Sequence, residues 1–278
     1  MTVAAPAPRP SGWTARMPAY AKVTALTAET VFTYRFNIAF ELVGLFLQIF
    51  LLKVVWTAIY ADRGSVEGAD LATLLTYLTI ANLQIWVVWP ETTWLLQRKV
   101  REGKIAQDLA RPIGLIGQLL GHQFGSTLVF LPIALVALPV AFLVGVLGPP
   151  ASIQAGILYV ASVALAYGVV TWIGLLMGMI AFWTLETSGM QAIYRFANLF
   201  FAGGLVPLWL FPGPLRAVAE LLPFQTQAHI PVSIYIGRIV GVDALRGLAV
   251  QAIWVVLLGL LVRVVWSRAM RRVVIQGG

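Results

Sequence analysis

Cysteine is absent from this chain. Its absence excludes disulfides, thiolate chemistry and Cys-ligated zinc, though it selects no compartment. Histidine is almost missing: His122 and His229 are the only two, no H-E-x-x-H occurs, and each is read as a packed or interfacial residue rather than a metal ligand. Charge is scarce, at 11% of 278 residues against about 25% in an ordinary soluble domain. The phosphate cradle G-x-x-x-x-G-K-[ST] is also lacking, since Gly103-Lys104 is followed by Ile105 and has no earlier partner glycine. The chain itself therefore hydrolyses no ATP through a P-loop. No nucleophile elbow supports a catalytic triad, and Asp62, Glu67 and Asp70 share one loop instead of forming a phosphate-transfer metal site. No catalytic, cofactor or metal site is expected on this chain.

What is present is hydrocarbon. Sixty per cent of the residues are hydrophobic, more than one water-soluble core can hide, so the chain reads as an all-α polytopic membrane protein. Six apolar stretches are long enough to cross about 30 Å of lipid, at about 37–60, 71–90, 117–146, 153–183, 191–211 and 247–266. Pro132 and Pro139 interrupt the third. The first eighteen residues, rich in Ala and Pro, are expected to be a disordered cytoplasmic tail. Residues 19–36 alternate Val23, Leu26, Val31 and Tyr34 with Lys22, Glu29 and Arg35, which fits either an amphipathic interfacial helix or a cytoplasmic extension of the first span. Residues 212–245 hold Pro212, Pro214, Pro223 and Pro231; short re-entrant helices, or a long external loop with an interfacial helix, would account for them.

The net charge of +8 sits at the ends of these stretches, which favours anionic lipid headgroups over nucleic acid as the partner. With both termini inside, the expected external segments keep only Arg63, Arg216, Arg238 and Arg246, and the other basic residues of the loops fall on the cytoplasmic side. The densest cluster, LQRKVREGKIAQDLARP at 96–112, lies between spans two and three. Within the spans, Glu41 and Lys53 are twelve residues apart, about 18 Å along a helix, and cannot pair with each other. Lys53 either snorkels to the outer interface or faces a partner helix or wet cavity. Gly117, Gly121 and Gly125, and again Gly174 and Gly178, form flat stripes for close helix packing. Trp56 and Trp209 fit an outer aromatic belt, and Trp89, Trp94, Trp183 and Trp266 an inner one. Phe46, Phe50, Lys53, Phe200 and Phe201 are candidates for lining a pathway.

Three features in order carry a resemblance. Arg101-Glu102-Gly103-Lys104 is followed by Asp108-Leu109-x-Arg111-Pro112; Ala181-Phe182-Trp183-Thr184 closes the fourth span; and a proline-broken stretch from Phe211 to Pro231 precedes a basic tail ending Gly277-Gly278. In this the chain resembles the six-span bacterial ABC-2 type permeases, from about residue 20 to its end. Ile105-Ala106-Gln107 departs from relatives that are often more apolar there. The resemblance implies an export permease in the bacterial cytoplasmic membrane, with a second permease, identical or related, and two copies of a separate ABC ATPase that carries the ATP and Mg. It implies a drug-like or toxic-cation substrate, with lipid or polysaccharide export as alternatives within the class. On this reading the segment 96–112, through Arg101, Glu102, Gly103, Lys104, Asp108, Leu109 and Arg111, couples the ATPase to the spans. A secondary transporter and a membrane scaffold are the competing classes.

Overall fold

The computed structural model describes residues 13–61, 64–111, 113–143, 146–184 and 187–276. The first two helices follow one another with a single-residue break. Helix α1 (Trp13–Thr33) gives way to α2 (Arg35–Ile59) at Tyr34, where ψ of 32° interrupts the helical run. Helix α3 (Leu71–Val87) starts at Asp70, whose side chain accepts a hydrogen bond from the Thr73 amide at 2.9 Å. Pro90, which has no amide to donate, separates it from α4 (Thr92–Arg101). After Gly103, at φ 66°, the chain turns into α5 (Ile105–Ala110). Helix α6 (Leu115–Leu143) carries Pro132 and Pro139 without breaking, contrary to the interruption expected there. Ser152 caps α7 (Ile153–Met179), which a 3₁₀ turn extends to Phe182. Then come α8 (Ser188–Phe201), α9 (Gly213–Leu221), α10 (His229–Tyr235) and the long α11 (Gly241–Gln276).

Among the described residues five helical stretches are long and apolar enough to cross a membrane: Arg35–Ile59, Leu71–Arg101, Leu115–Leu143, Ile153–Phe182 and Gly241–Arg272. The chain is a multi-pass membrane protein. The fifth expected span, 191–211, is not a full helix. The 14 residues of α8 rise about 21 Å, short of the hydrocarbon core, and Gly203 at φ 86° then ends the helical run. Gly203, Gly204, Pro207 and Pro212 leave only a 3₁₀ turn at Leu208–Leu210. The sixth expected span, 247–266, sits inside the longer α11. The tail expected over 1–18 is helical from Trp13 onward; its first twelve residues lie outside those described, as do Pro112, Gly277 and Gly278 of the resemblance.

Both glycine stripes serve packing within the chain. A Cβ on Gly125 would stand 2.5 Å from the Thr24 carbonyl oxygen, so α1 lies directly along α6, and the Thr24 hydroxyl donates to the Gly121 carbonyl at 3.1 Å. The residues of α7 that face α4 follow the same rule: a Cβ on Gly174 would meet Pro90 at 2.6 Å, and one on Gly178 would meet Leu96 at 3.0 Å. Apolar packing gathers at two ends. Trp56, Tyr60, Leu74, Tyr77 and Trp209 join the end of α2, the start of α3 and the broken segment 203–235 that follows α8. Leu96, Ile105, Leu119, Met179 and Val262 join α4, α5, the start of α6 and the ends of α7 and α11. Trp56 and Trp209 are therefore core residues, 8% and 5% exposed, rather than belt residues at a lipid boundary. Trp94 and Trp183 do stay exposed.

Candidate functional site

Pro90 leaves the Trp89 carbonyl and the Thr92 amide without helical partners. Gln123 of α6, fully buried, supplies both: its Nε2 donates to the Trp89 carbonyl at 2.8 Å and its Oε1 accepts from the Thr92 amide at 3.3 Å. The break holds Glu91 at the head of α4, beside a cavity of about 530 Å³ between α2, α3, α4 and α8. Glu41 and Glu91 both line it, as does Arg195. Trp86, Trp89 and Trp94 give it aromatic walls. A second cavity of about 340 Å³ adjoins it toward α1 and α6, and Glu41, Glu91, Trp94 and Phe130 line both. The two carboxylates thus stand where the cavities meet. No ion pair to either is formed among the described residues.

The wall toward α8 is built of amides. Gln48 donates to Asn82 Oδ1 at 2.8 Å, and Asn82 Nδ2 donates to the Gly204 carbonyl at 2.8 Å. Asn198, 2% exposed, also lines the cavity, and among the described residues neither its Oδ1 nor the Trp86 indole N–H has a hydrogen-bond partner. Beyond this wall, two more amides hold the broken segment. Gln84 donates to the Gln227 carbonyl at 2.5 Å, and Gln251 of α11 donates to the Thr226 carbonyl at 2.8 Å. Each carbonyl was freed by the interrupted helices, and each finds a side chain from a long helix. Residues His229 to Ile234 of α10 are all buried. Both histidines are packed, His229 Nδ1 against the Tyr77 hydroxyl at 3.0 Å and His122 Nδ1 against the Thr27 hydroxyl at 3.1 Å.

At the far end of α4 is the charged turn. Asp108 is 3% exposed and pairs with Lys99 and, at 3.3 Å, with Arg111. Gln118 of α6 donates to the Asp108 carbonyl at 3.2 Å, and Ile105 is buried beside it. The turn between, Arg101, Glu102, Gly103 and Lys104, is exposed, with Lys104 paired to Glu102 at 2.6 Å. That hydrogen bond holds the Glu102 carboxyl below its ordinary pKa range. Leu109 on α5 and Arg111 just after its end are exposed. The seven residues expected to couple are thus together in space, but they divide. Asp108 faces inward as a brace, while Arg101, Glu102, Gly103, Lys104, Leu109 and Arg111 form the outer surface.

The five residues singled out for a pathway are not brought together. Phe46 packs against Leu83 and Ala137, Phe50 is exposed and Lys53 is half-buried. Phe200 stacks on Phe211, with centroids 4.8 Å apart, and Phe201 on Phe224 at 6.2 Å. None of them lines the larger cavity. Glu91 and Arg195 are the residues that sequence reasoning passed over. Glu91 falls one residue beyond the expected end of span two at 90; a carboxylate continuous with an apolar helix is the signal that could have found it.

Residues 42–277 match the family model described as ABC-2 family transporter protein, a stretch that includes α3 to α11 almost whole. No curated protein matches the chain.

Proposed function

The chain belongs to the ABC-2 transporter family, and from that premise we propose that it is the permease subunit of a bacterial inner-membrane exporter for hydrophobic or amphipathic cations, drug-like or toxic. The coarser part is the family's own: its members are membrane subunits of transport, and they normally work with an ABC ATPase. The finer part rests on one observation. Glu41 and Glu91, without ion-pair partners among the described residues, share a cavity with Trp86, Trp89 and Trp94. Carboxylates attract a cation by charge, and indole faces hold it by cation–π and apolar contact. Sugars of a polysaccharide would have less use for such an acid pair.

The free energy arrives from outside, because no P-loop is present. ATP and Mg belong to two copies of the partner ATPase, and a second permease, identical or related, completes the pathway. Both termini lie in the cytoplasm, and residues 212–245 dip into the outer leaflet. The exposed turn Arg101–Lys104 with Leu109 and Arg111 docks on the ATPase. Helix α4 then acts as a strut. Its ten residues, about 15 Å long, run from Glu91 at the cavity to Glu102 at the turn. A push on the turn is carried to the carboxylate that holds the substrate, while Thr93, donating to the Gly174 carbonyl at 3.0 Å, passes it to α7. To test the function, tetraphenylphosphonium uptake is measured in inverted vesicles holding the chain and its ATPase. Uptake that needs ATP and stops with vanadate is expected. Uptake by the chain alone, driven by an ion gradient, overturns it.

A further inference from the structure

Arg195 shares the cavity with Glu41 and Glu91 yet pairs with neither within ion-pair distance among the described residues. Its guanidinium lies instead over the Trp89 ring, with Cζ 5.3 Å from the centroid. That is the contact an incoming organic cation would make with the same face. The cavity therefore already contains a cation, carried on a flexible stem from α8. Two carboxyl groups and one guanidinium thus line the cavity together. Asn198 stands three residues further along α8, on the same face, and its buried Oδ1, unpartnered among the described residues, gives the wall a polar acceptor.

We propose that Arg195 is a tethered competitor: it occupies the Trp89 face while the cavity is empty, and an exported cation must displace it. The residue is exposed, and among the described residues the Trp89 face is what holds its guanidinium, so swinging away costs little beyond that contact. The device sets specificity. Cations that stack on indole less well than a guanidinium fail to displace it, whereas large aromatic cations succeed. It also keeps the indole face covered between transport cycles. An anion-recognition role for Arg195 would leave the two facing carboxylates as repulsive groups, which is why the competitor role is favoured. The proposal rests on the reading that this cavity binds cations.

The test uses the full chain in lipid nanodiscs and equilibrium dialysis of tetraphenylphosphonium, with tetraphenylborate as a probe of the same shape and opposite charge. Wild type should bind the phosphonium and not the borate. Glu91→Gln should weaken phosphonium binding by about tenfold. Arg195→Gln should tighten it by about two- to tenfold, the equivalent of one cation–π contact removed from competition, with an unchanged melting temperature. Arg195→Lys, still a cation but a poorer partner for the indole face, should fall between wild type and Arg195→Gln. If Glu91→Gln weakens binding but Arg195→Gln leaves it unchanged or weaker, the competitor role is overturned and the cation reading stands. If Glu91→Gln and Glu41→Gln have no effect, or the borate binds better, the cation reading fails and the competitor role fails with it.

Discussion

The charged turn at one end of the protein and the broken helices at the other solve the same problem with different chemistry. Both are places where the chain interrupts its helices. At the turn, Asp108 holds α5 through Lys99 and Arg111. At the other end, Asn82, Gln84 and Gln251 hold the broken segment through neutral amide hydrogen bonds to the carbonyls of Gly204, Gln227 and Thr226. An ion pair next to water loses little by desolvation; one buried among apolar helices loses several kcal/mol per ion. Amides satisfy freed carbonyls without that cost. The kind of staple thus follows the surroundings: ionic where one partner of the buried Asp108, Arg111, stays in water, neutral where Asn82, Gln84 and Gln251 are themselves buried.

The comparison is broken most severely at Gln251. It is fully buried, accepts from the Ser162 hydroxyl at 2.7 Å and donates to the carbonyls of Ser162 and Thr226. Gln251→Leu strands these groups and is expected to cost about 2–4 kcal/mol, read as a lower melting temperature in detergent, whereas Gln251→Glu, which puts a charge in the same place, should be at least as damaging. Asp108→Ala comes next. It leaves Lys99, whose side chain is only 18% exposed, without its acid, at about 1–2 kcal/mol after allowance for solvent. Limited proteolysis should then cut between α4 and α6. Glu102→Gln has the smallest effect on stability, because its partner Lys104 is exposed; the melting temperature should not move. Association with the ATPase should fall all the same, since Glu102 stands on the surface assigned to docking. A Glu102 variant that loses stability, or an Asp108 variant that loses none, would invert the division between brace and surface.

Much of this organisation was legible in the sequence, for physical reasons. Long apolar runs must be helices in lipid, and α2, α6 and α7 begin within two residues of the expected spans. Glycine stripes must meet something close, and they do, though the partner on α6 turned out to be the N-terminal helix α1. The fifth span was less legible. Hydropathy over 191–211 is high whether or not the backbone stays helical, and Gly203-Gly204 with Pro207 decides that it does not. The cavity was not legible, because its charged members Glu41, Glu91 and Arg195 are far apart in sequence and meet only through packing. Aromatic content drew attention to Phe200 and Phe201, which are spent on holding the broken segment together. Asp108 read as a docking acid because sequence gives its charge but not its burial.

The central claim is that α4 carries movement from the charged turn to the acidic cavity. A chain without cysteine permits a direct measurement, because a single Trp94→Cys reports from the cavity wall alone. In the complex with its ATPase, the rate of labelling at position 94 by a membrane-impermeant maleimide is compared before and after vanadate trapping. A fall in the rate on trapping, abolished by adding Glu102→Gln, is the predicted result. An unchanged rate in a complex that still traps vanadate would contradict it.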